Sequence, residues 1–227
     1  MLTSADLTAL WLTLQLAGLT TFILLLLGTP LAWWLAHTRW RFRFVLETFI
    51  ALPLVLPPTV LGFYLLLALG PRGWLGSLMQ SLGADPLAFT FEGLLVGSVI
   101  YSLPFVVQPL QDTFQSIGRR PLEIAATLRA NPLDTFLNVV IPMARAGYVT
   151  AAMLGFAHTL GEFGVVLMVG GAIPGETRTA AIAIYDRVQA FDDSAAASMS
   201  AMLLVICLVA LLLVQRLTRR IGRRRHG

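Results

Sequence analysis

Lysine is absent from this 227-residue sequence, so all 16 of its basic residues are arginines. This absence excludes a P-loop nucleotide site, because the GxxxxGK[ST] pattern needs a lysine, and it excludes any Schiff-base lysine. If the protein carries out energy-driven work, the energy must come from another chain. The single cysteine, Cys207, excludes an intrachain disulfide.

Charge is also scarce. Charged residues make up 12% of the chain, about half of their usual share in a soluble domain, while 57% of residues are hydrophobic and the mean hydropathy is +0.78. A hydrocarbon core of about 30 Å needs roughly 20 apolar residues in a helix. We therefore predict an all-α integral membrane domain over residues 7–217, followed by a basic cytoplasmic tail, 218–227. The uncharged runs predict about five transmembrane helices at 7–36, 48–70, 93–114, 146–170 and 194–216.

The arginines predict how these spans are oriented. With five spans, most arginines fall on one side, which the positive-inside rule makes cytoplasmic. The amino terminus is then outside and the carboxyl terminus inside, and the pI near 10 reflects topology rather than nucleic-acid binding. The start of the chain lacks the basic segment of a signal peptide, so the first span is expected to be retained. The outer side would hold only Arg72, Arg178 and Arg187.

The predicted cytoplasmic loop 118–145 carries two helix-start signals. Pro121 suits a first helical turn, and Glu123 complements the positive end of that helix. Asn131 and Pro132 predict the cap and first residue of a second short helix, which Pro142 is expected to disrupt or end. Such a pair of helices is either a plain linker between spans or a docking element for a cytosolic partner.

Several segments carry a family resemblance. The stretch Leu122-Glu123-Ile124-Ala125-Ala126, followed by Ile141-Pro142, resembles the EAA loop of binding-protein-dependent ABC importer permeases. Ile124 occupies the usual Glu position of that loop, and Ala130 the usual Gly position. The segments 52–60, 160–164 and 173–179 resemble the molybdate-importing members of the family.

This resemblance implies a type I ABC importer transmembrane domain in the bacterial cytoplasmic membrane. It further implies a homodimer in contact with lipid, two cytosolic ATP-binding subunits and an external, periplasmic oxyanion-binding protein. No cofactor is expected, because the partner subunit binds ATP, and no catalytic or metal-binding residue is expected either. The implied ATPase-coupling residues are Glu123, Ala125, Ala126, Arg129, Ala130, Asn131 and Pro142. The candidates for docking the binding protein are Pro174, Gly175, Glu176, Thr177 and Arg178.

Glu162 is the only carboxylate well inside a predicted span, and an ionisable group there is a functional candidate. Because an ionised Glu would repel an oxyanion, we favour a helix contact or an external gate over substrate coordination. The prolines of spans two and three indicate either static kinks or a hinge. The pathway or gate candidates are Pro57, Pro58, Thr59, Gly161, Glu162, Phe163 and Gly164.

Two alternatives remain open. His158 lies four residues before Glu162 and could form an intramembrane enzyme site with it, although a packed, hydrogen-bonded histidine is favoured. The substrate could be molybdate, tungstate or another oxyanion such as sulfate. Since every arginine flanks the spans, the pathway has no fixed cation, and an external protein must capture the ion. Four residues with hydroxyl groups could line the pathway and bind the ion weakly: Thr59, Ser98, Ser102 and Thr159.

Overall fold

The computed structural model describes residues 3–223, with side chains described up to residue 216, and this part of the chain is helical without strands. The helices are α1 (Ser4–His37), α2 (Arg43–Val55), α3 (Pro58–Leu69), α4 (Trp74–Ser81), α5 (Phe91–Ile117), α6 (Arg120–Thr127), α7 (Pro132–Thr135), α8 (Ile141–Leu160), α9 (Gly164–Gly170), α10 (Ala180–Gln189) and α11 (Asp193–Arg223), with a π-helical segment, Phe136–Val140, between α7 and α8.

The first predicted span is one long helix, α1. A capping box starts it, in which the Thr3 hydroxyl accepts from the Asp6 backbone N–H and the Asp6 carboxylate accepts from the Thr3 backbone N–H. The helix continues through Pro30 for 34 residues, about 51 Å, so it is longer than the hydrocarbon core is thick. It packs along α5 and α8 in the main apolar core, which includes Leu24, Val106 and Ala151.

The second predicted span, 48–70, is not one helix. It is α2 followed, after Leu56 and Pro57, by α3; the angle between α2 and the segment Pro58–Ser81, which contains α3 and α4, is 112°. The pair still runs the length of the bundle, because Glu47 on α2 bonds to Gln111 near the end of α5, whereas Leu69 on α3 packs beside the segment that precedes α5. Four helices in the described residues are long and apolar enough to span a membrane, or five if the bent pair is one span.

The fourth predicted span, 146–170, has different bounds in the structure. Helical structure runs from Pro132 to Leu160, so Pro142 does not end the helix; the α-helical pattern is disrupted before it by the π-helical segment Phe136–Val140. The π-helical turn, in which the Ile141 N–H bonds to the Phe136 carbonyl, changes the hydrogen-bond register one residue before Pro142. Pro142, which has no backbone N–H, therefore lies where the helical hydrogen bonds have already changed register. The chain then breaks at residues 161–163 before α9.

The third and fifth predicted spans are α5 and α11. The tail predicted over 218–227 is, as far as Arg223, a continuation of α11; residues 224–227 lie outside the described residues. Helix α10 was not predicted. Its first backbone N–H, at Ala180, donates to the Thr13 hydroxyl of α1 at 2.8 Å, which satisfies a donor that a helix start otherwise leaves open.

Candidate pathway and coupling sites

Two of the predicted pathway segments meet in the structure. The start of α3 lies against the start of α9, where a Cβ added to Gly164 would stand 2.7 Å from the Pro58 Cβ. One turn along α3, a Cβ on Gly62 would stand 2.8 Å from the Met168 Cβ. Glycine at these positions lets the two helices approach more closely than any other residue would allow. The bend after α2 and the break after α8 therefore form one irregular region, with Pro57 and Thr59 on its exposed side.

Glu162 lies inside this region, at the break between α8 and α9 and not in a helix. Its side chain is buried, with 5% exposed, and its Oε2 accepts from the Ser98 hydroxyl of α5 at 2.8 Å. Its Oε1 is buried without a hydrogen-bond partner. No arginine within the described part of the chain forms an ion pair with it. The carboxyl group thus ties the break to α5 through a single hydrogen bond.

His158 makes a separate contact with α5. Its Nδ1 lies 2.9 Å from the Ser102 hydroxyl, which is also 2.9 Å from the Thr159 hydroxyl, and its ring stacks on Phe105 at 3.8 Å. His158 and Glu162 bond to different serines, so they form two helix contacts instead of one chemical site. Within residues 3–223 no group of three or more His, Cys, Asp or Glu side chains could hold a metal ion.

The predicted coupling residues, apart from Pro142, lie in α6, α7 and the turn between them, at the end of α8 opposite to Glu162. We call α6, α7 and this turn the coupling element. Helix α6 ends in a Schellman motif, because the Ala130 N–H bonds to the Ala125 carbonyl and the Arg129 N–H to the Ala126 carbonyl, both at 3.0 Å. Arg129 adopts the left-handed conformation of this motif, with φ 59°. The position that favours glycine is therefore Arg129 and not Ala130. Asn131 caps α7 as predicted, since its Oδ1 accepts from the Asp134 N–H at 2.7 Å.

The coupling element carries three strongly exposed apolar side chains. Ile124, Leu128 and Leu133 are 62%, 77% and 67% exposed, while Ala125 is buried against the bundle. A groove of about 570 Å³ separates the element from α1, and Ala126 and Ala130 are among its lining residues. Exposed leucine and isoleucine side chains of this size on one element are typical of a protein–protein contact. Glu123 and Pro142 are also exposed.

The predicted docking segment 174–178 is a tight turn at the same end of the bundle as the start of α5. Pro174, Gly175 and Glu176 are exposed. Thr177 is fully buried, and its hydroxyl donates to the Gly170 carbonyl and accepts from the Ile173 N–H. Thr177 therefore shapes the turn and cannot contact a partner. Arg178 forms an ion pair with Asp186 at 2.8 Å.

Two polar contacts in the structure were not predicted. On the side of the docking segment, Arg187 of α10 lies between Asp6 of α1 and Asp192 before α11, at 3.3 and 3.2 Å. Near the coupling element, the Gln111 amide donates to Glu47 at 2.7 Å. The Asp6–Arg187 and Glu47–Gln111 contacts join residues far apart in the chain, so no local sequence pattern indicates either pair.

The sequence model of the binding-protein-dependent transport system inner membrane component matches residues 28–223. The chain belongs to this family. The family provides the membrane component of a transport system, so the chain is a transport subunit and not an enzyme. The irregular region around Glu162 and the coupling element are accordingly parts of a permease.

Relatives from several organisms extend this result. The molybdenum transport system permease protein ModB of Azotobacter vinelandii is 63% identical over 191 residues, 84% of each chain. ModB of Escherichia coli K12 is 30% identical over 100% of this chain and 99% of its own. The probable sulfate transport system permease protein cysT of Nephroselmis olivacea is 34% identical over 82% of this chain and 66% of its own.

Solved structures confirm the fold class. A bacterial ABC transporter involved in the import of the acidic polysaccharide alginate superposes with a TM-score of 0.81 at 18% identity, covering 97% of this chain and 81% of that one. The MetNI methionine ABC transporter, in an inward-facing form, gives a TM-score of 0.73 at 15% identity and covers 94% of each chain. The predicted fold of a type I ABC importer transmembrane domain is thereby confirmed.

Proposed function

We propose that this chain is the membrane subunit of an ATP-driven importer of molybdate, and of tungstate as its close chemical analogue. The observation that carries the proposal is the 63% identity to the Azotobacter vinelandii molybdenum permease over 84% of each chain. The sulfate permease relative is only 34% identical. Sulfate is therefore the second candidate substrate.

The proposed topology places the amino terminus outside and the carboxyl terminus in the cytoplasm. If the bent pair α2–α3 did not cross the membrane, the arginines of residues 119–145 would lie outside, against the positive-inside rule. Crossing by the pair puts them on the same side as Arg39, Arg41 and Arg43. The path of the pair from one end of α5 to the other supports this assignment.

The coupling element is the proposed docking site for a cytosolic ATPase, which binds the ATP that this chain cannot. Its exposed Ile124, Leu128 and Leu133 would be covered by the partner, as apolar anchors are in stable interfaces. A second copy of the chain would complete the pathway and cover the exposed faces of α2 and α3. The permease then needs no cofactor of its own.

The irregular region around Glu162 is the proposed gate. The side-chain hydrogen bonds that hold the helix break to α5, from Ser98 to Glu162 and from Ser102 to His158 and Thr159, include no ion pair, so the break can open without loss of one. The exposed residues 174–176 of the neighbouring turn are proposed to contact the external binding protein. That protein would deliver the oxyanion, because no arginine lies in the described pathway segments to capture it.

Transport by the purified complex tests the proposal. The chain is coexpressed with its ATPase, reconstituted in liposomes with ATP inside, and supplied with binding protein and molybdate outside. We expect ATP-dependent molybdate uptake that tungstate inhibits and a hundredfold excess of sulfate does not. If the complex took up sulfate in preference to molybdate, sulfate would be the substrate. Uptake that did not require ATP would contradict the proposed coupling to the ATPase.

A further inference from the structure

One face of α5 is polar over its last three turns. Gln108, Gln111, Asp112 and Gln115 are three or four residues apart and so share this face. Together with Glu47 of α2, they enclose a cleft of about 320 Å³. We refer to these five residues as the polar stripe. The Gln111 amide is engaged by Glu47 at 2.7 Å, while the other three side chains make no hydrogen bond within the described residues.

The depth of the polar stripe excludes lipid as its neighbour. Helix α5 has 27 residues, about 40 Å in length, and its midpoint lies near Pro104. Gln108 is then about 6 Å and Asp112 about 12 Å from the middle of a hydrocarbon core whose half-thickness is about 15 Å. Both side chains are exposed on the chain's own surface. Since charged and amide groups at this depth face protein or water, another surface or an aqueous space must cover them.

We propose that the polar stripe lines the cytoplasmic half of the anion pathway. The substrate in this proposal rests on the proposed function. Each glutamine amide offers N–H donors to an oxyanion, so uncharged groups can hydrogen-bond the ion as it moves along the pathway. The carboxylates of Asp112 and Glu47 lie in the same stripe and repel a dianion. The cytoplasmic half of the pathway therefore does not retain the ion. The stripe therefore binds the ion only weakly and lowers its concentration at the cytosolic opening of the pathway.

Cysteine labelling tests the lining directly, because Cys207 is the only native cysteine. In a Cys207→Ser background, Gln108→Cys and Asp112→Cys are examined in the complete reconstituted complex with a membrane-impermeant, sulfonated maleimide applied from the cytosolic side. Leu208→Cys is the matched control, since Leu208 is exposed on α11 at a similar depth among apolar residues. We expect labelling at 108 and 112 without nucleotide, at least tenfold faster than at 208.

Labelling at 108 and 112 no faster than at 208 would overturn the proposal, because a second copy or lipid would then cover the stripe. The labelling does not depend on which anion is carried. A complex that failed to import molybdate but was labelled at both positions would contradict the proposed substrate and leave the lining intact.

The repulsive role of Asp112 is tested by Asp112→Asn, with Asp85→Asn as the control, because Asp85 is an exposed carboxylate outside the polar stripe and the coupling element. A unit charge about 7 Å from a dianion in water changes its local concentration about five- to tenfold. Molybdate preloaded inside the liposomes should therefore inhibit import by Asp112→Asn at a concentration about five- to tenfold lower than in the parent and in Asp85→Asn. Added salt should reduce this difference. Equal inhibition of all three proteins would overturn the repulsive role.

Discussion

Residues 161–163 leave the helical conformation at the end of α8. The Glu162 carboxyl group therefore faces α5 and not its own helix. One oxygen accepts from Ser98, and the other has no partner. A buried polar oxygen without a partner costs about 1–3 kcal/mol. Such a contact is a weak point in an otherwise well-packed region, which is what a gate requires.

Replacing Glu162 tests this role. Glu162→Gln keeps the size of the side chain and the oxygen that accepts from Ser98, but it removes the acid. We expect ATP-driven molybdate uptake to fall or the liposomes to become leaky to molybdate, while the binding protein's affinity for molybdate is unchanged. An enzyme site shared with His158 would instead lose a chemical activity that needs no ATPase. Uptake and leak equal to the parent would leave Glu162 without a gating role.

Gly164 is the residue on which the contact between α3 and α9 depends. Gly164→Ala would place a methyl group 2.7 Å from the Pro58 Cβ, so the helices must separate. We expect the free energy of unfolding to fall by about 1–3 kcal/mol, the usual cost of overpacking. Gly161→Ala is the control, because its Cβ would meet only the Ala157 carbonyl at 3.9 Å. Thermal unfolding in detergent measures both, and equal stabilities would contradict the close contact.

Among the secondary-structure elements, the coupling element carries several strongly exposed apolar side chains. Leu128 is 77% exposed, and so is Leu82, which follows α4 at the other end of the bundle. If Leu128 anchors the ATPase, Leu128→Ala should weaken its binding by about 1–2 kcal/mol, or roughly five- to thirtyfold. Leu82→Ala should bind as the parent does. Pull-down titrations with purified ATPase measure both affinities, and equal values for the three proteins would place the ATPase contact elsewhere.

Local signals in the sequence predicted some elements and missed others. Caps and spacing fixed α6 and the Asn131 start of α7, because those signals act within four residues. The break at Pro57 was expected, but its 112° angle depends on the packing of Gly62 and Gly164 across the bundle. The π-helical turn before Pro142 has no comparable sequence signal. Helix α10 was missed because its first N–H is satisfied by Thr13, far away in the chain.

The candidate site was predicted in the same uneven way. Glu162 was identified because a charge is unusual inside a span, Pro58 because proline breaks backbone hydrogen bonds there, and Gly164 because it flanks Glu162 and allows close helix approach. That these residues meet could not be predicted, since it depends on α3 and α9 packing together. Thr177 was assigned to the surface with its exposed neighbours, yet its hydroxyl bonds inward to the turn. Residues that are adjacent in the sequence therefore need not be equally buried.

For the molecule as a whole, the placement of the arginines decides how the bundle lies in the membrane. The described structure permits four spans or five, and only five put the arginine-rich segments on one side. Reporter fusions at Asp85 and Glu176 should therefore be active outside the cell, and fusions at Arg129 and at the carboxyl terminus should be active inside. A cytoplasmic Glu176 would reverse the proposed sides. Balanced activity at both sides would indicate mixed insertion.

The π-helical turn has a mechanical consequence for the whole transporter. Because it carries the helix past Pro142, residues 132–160 form one continuous rod, about 43 Å long, with the coupling element at one end and the Glu162 break at the other. A rod of this length that tilts by about 5° about one end displaces the other by about 4 Å, more than the length of a hydrogen bond. A small rocking movement of the ATPases would therefore reach the far side of the membrane undiminished, with no joint in between to absorb it.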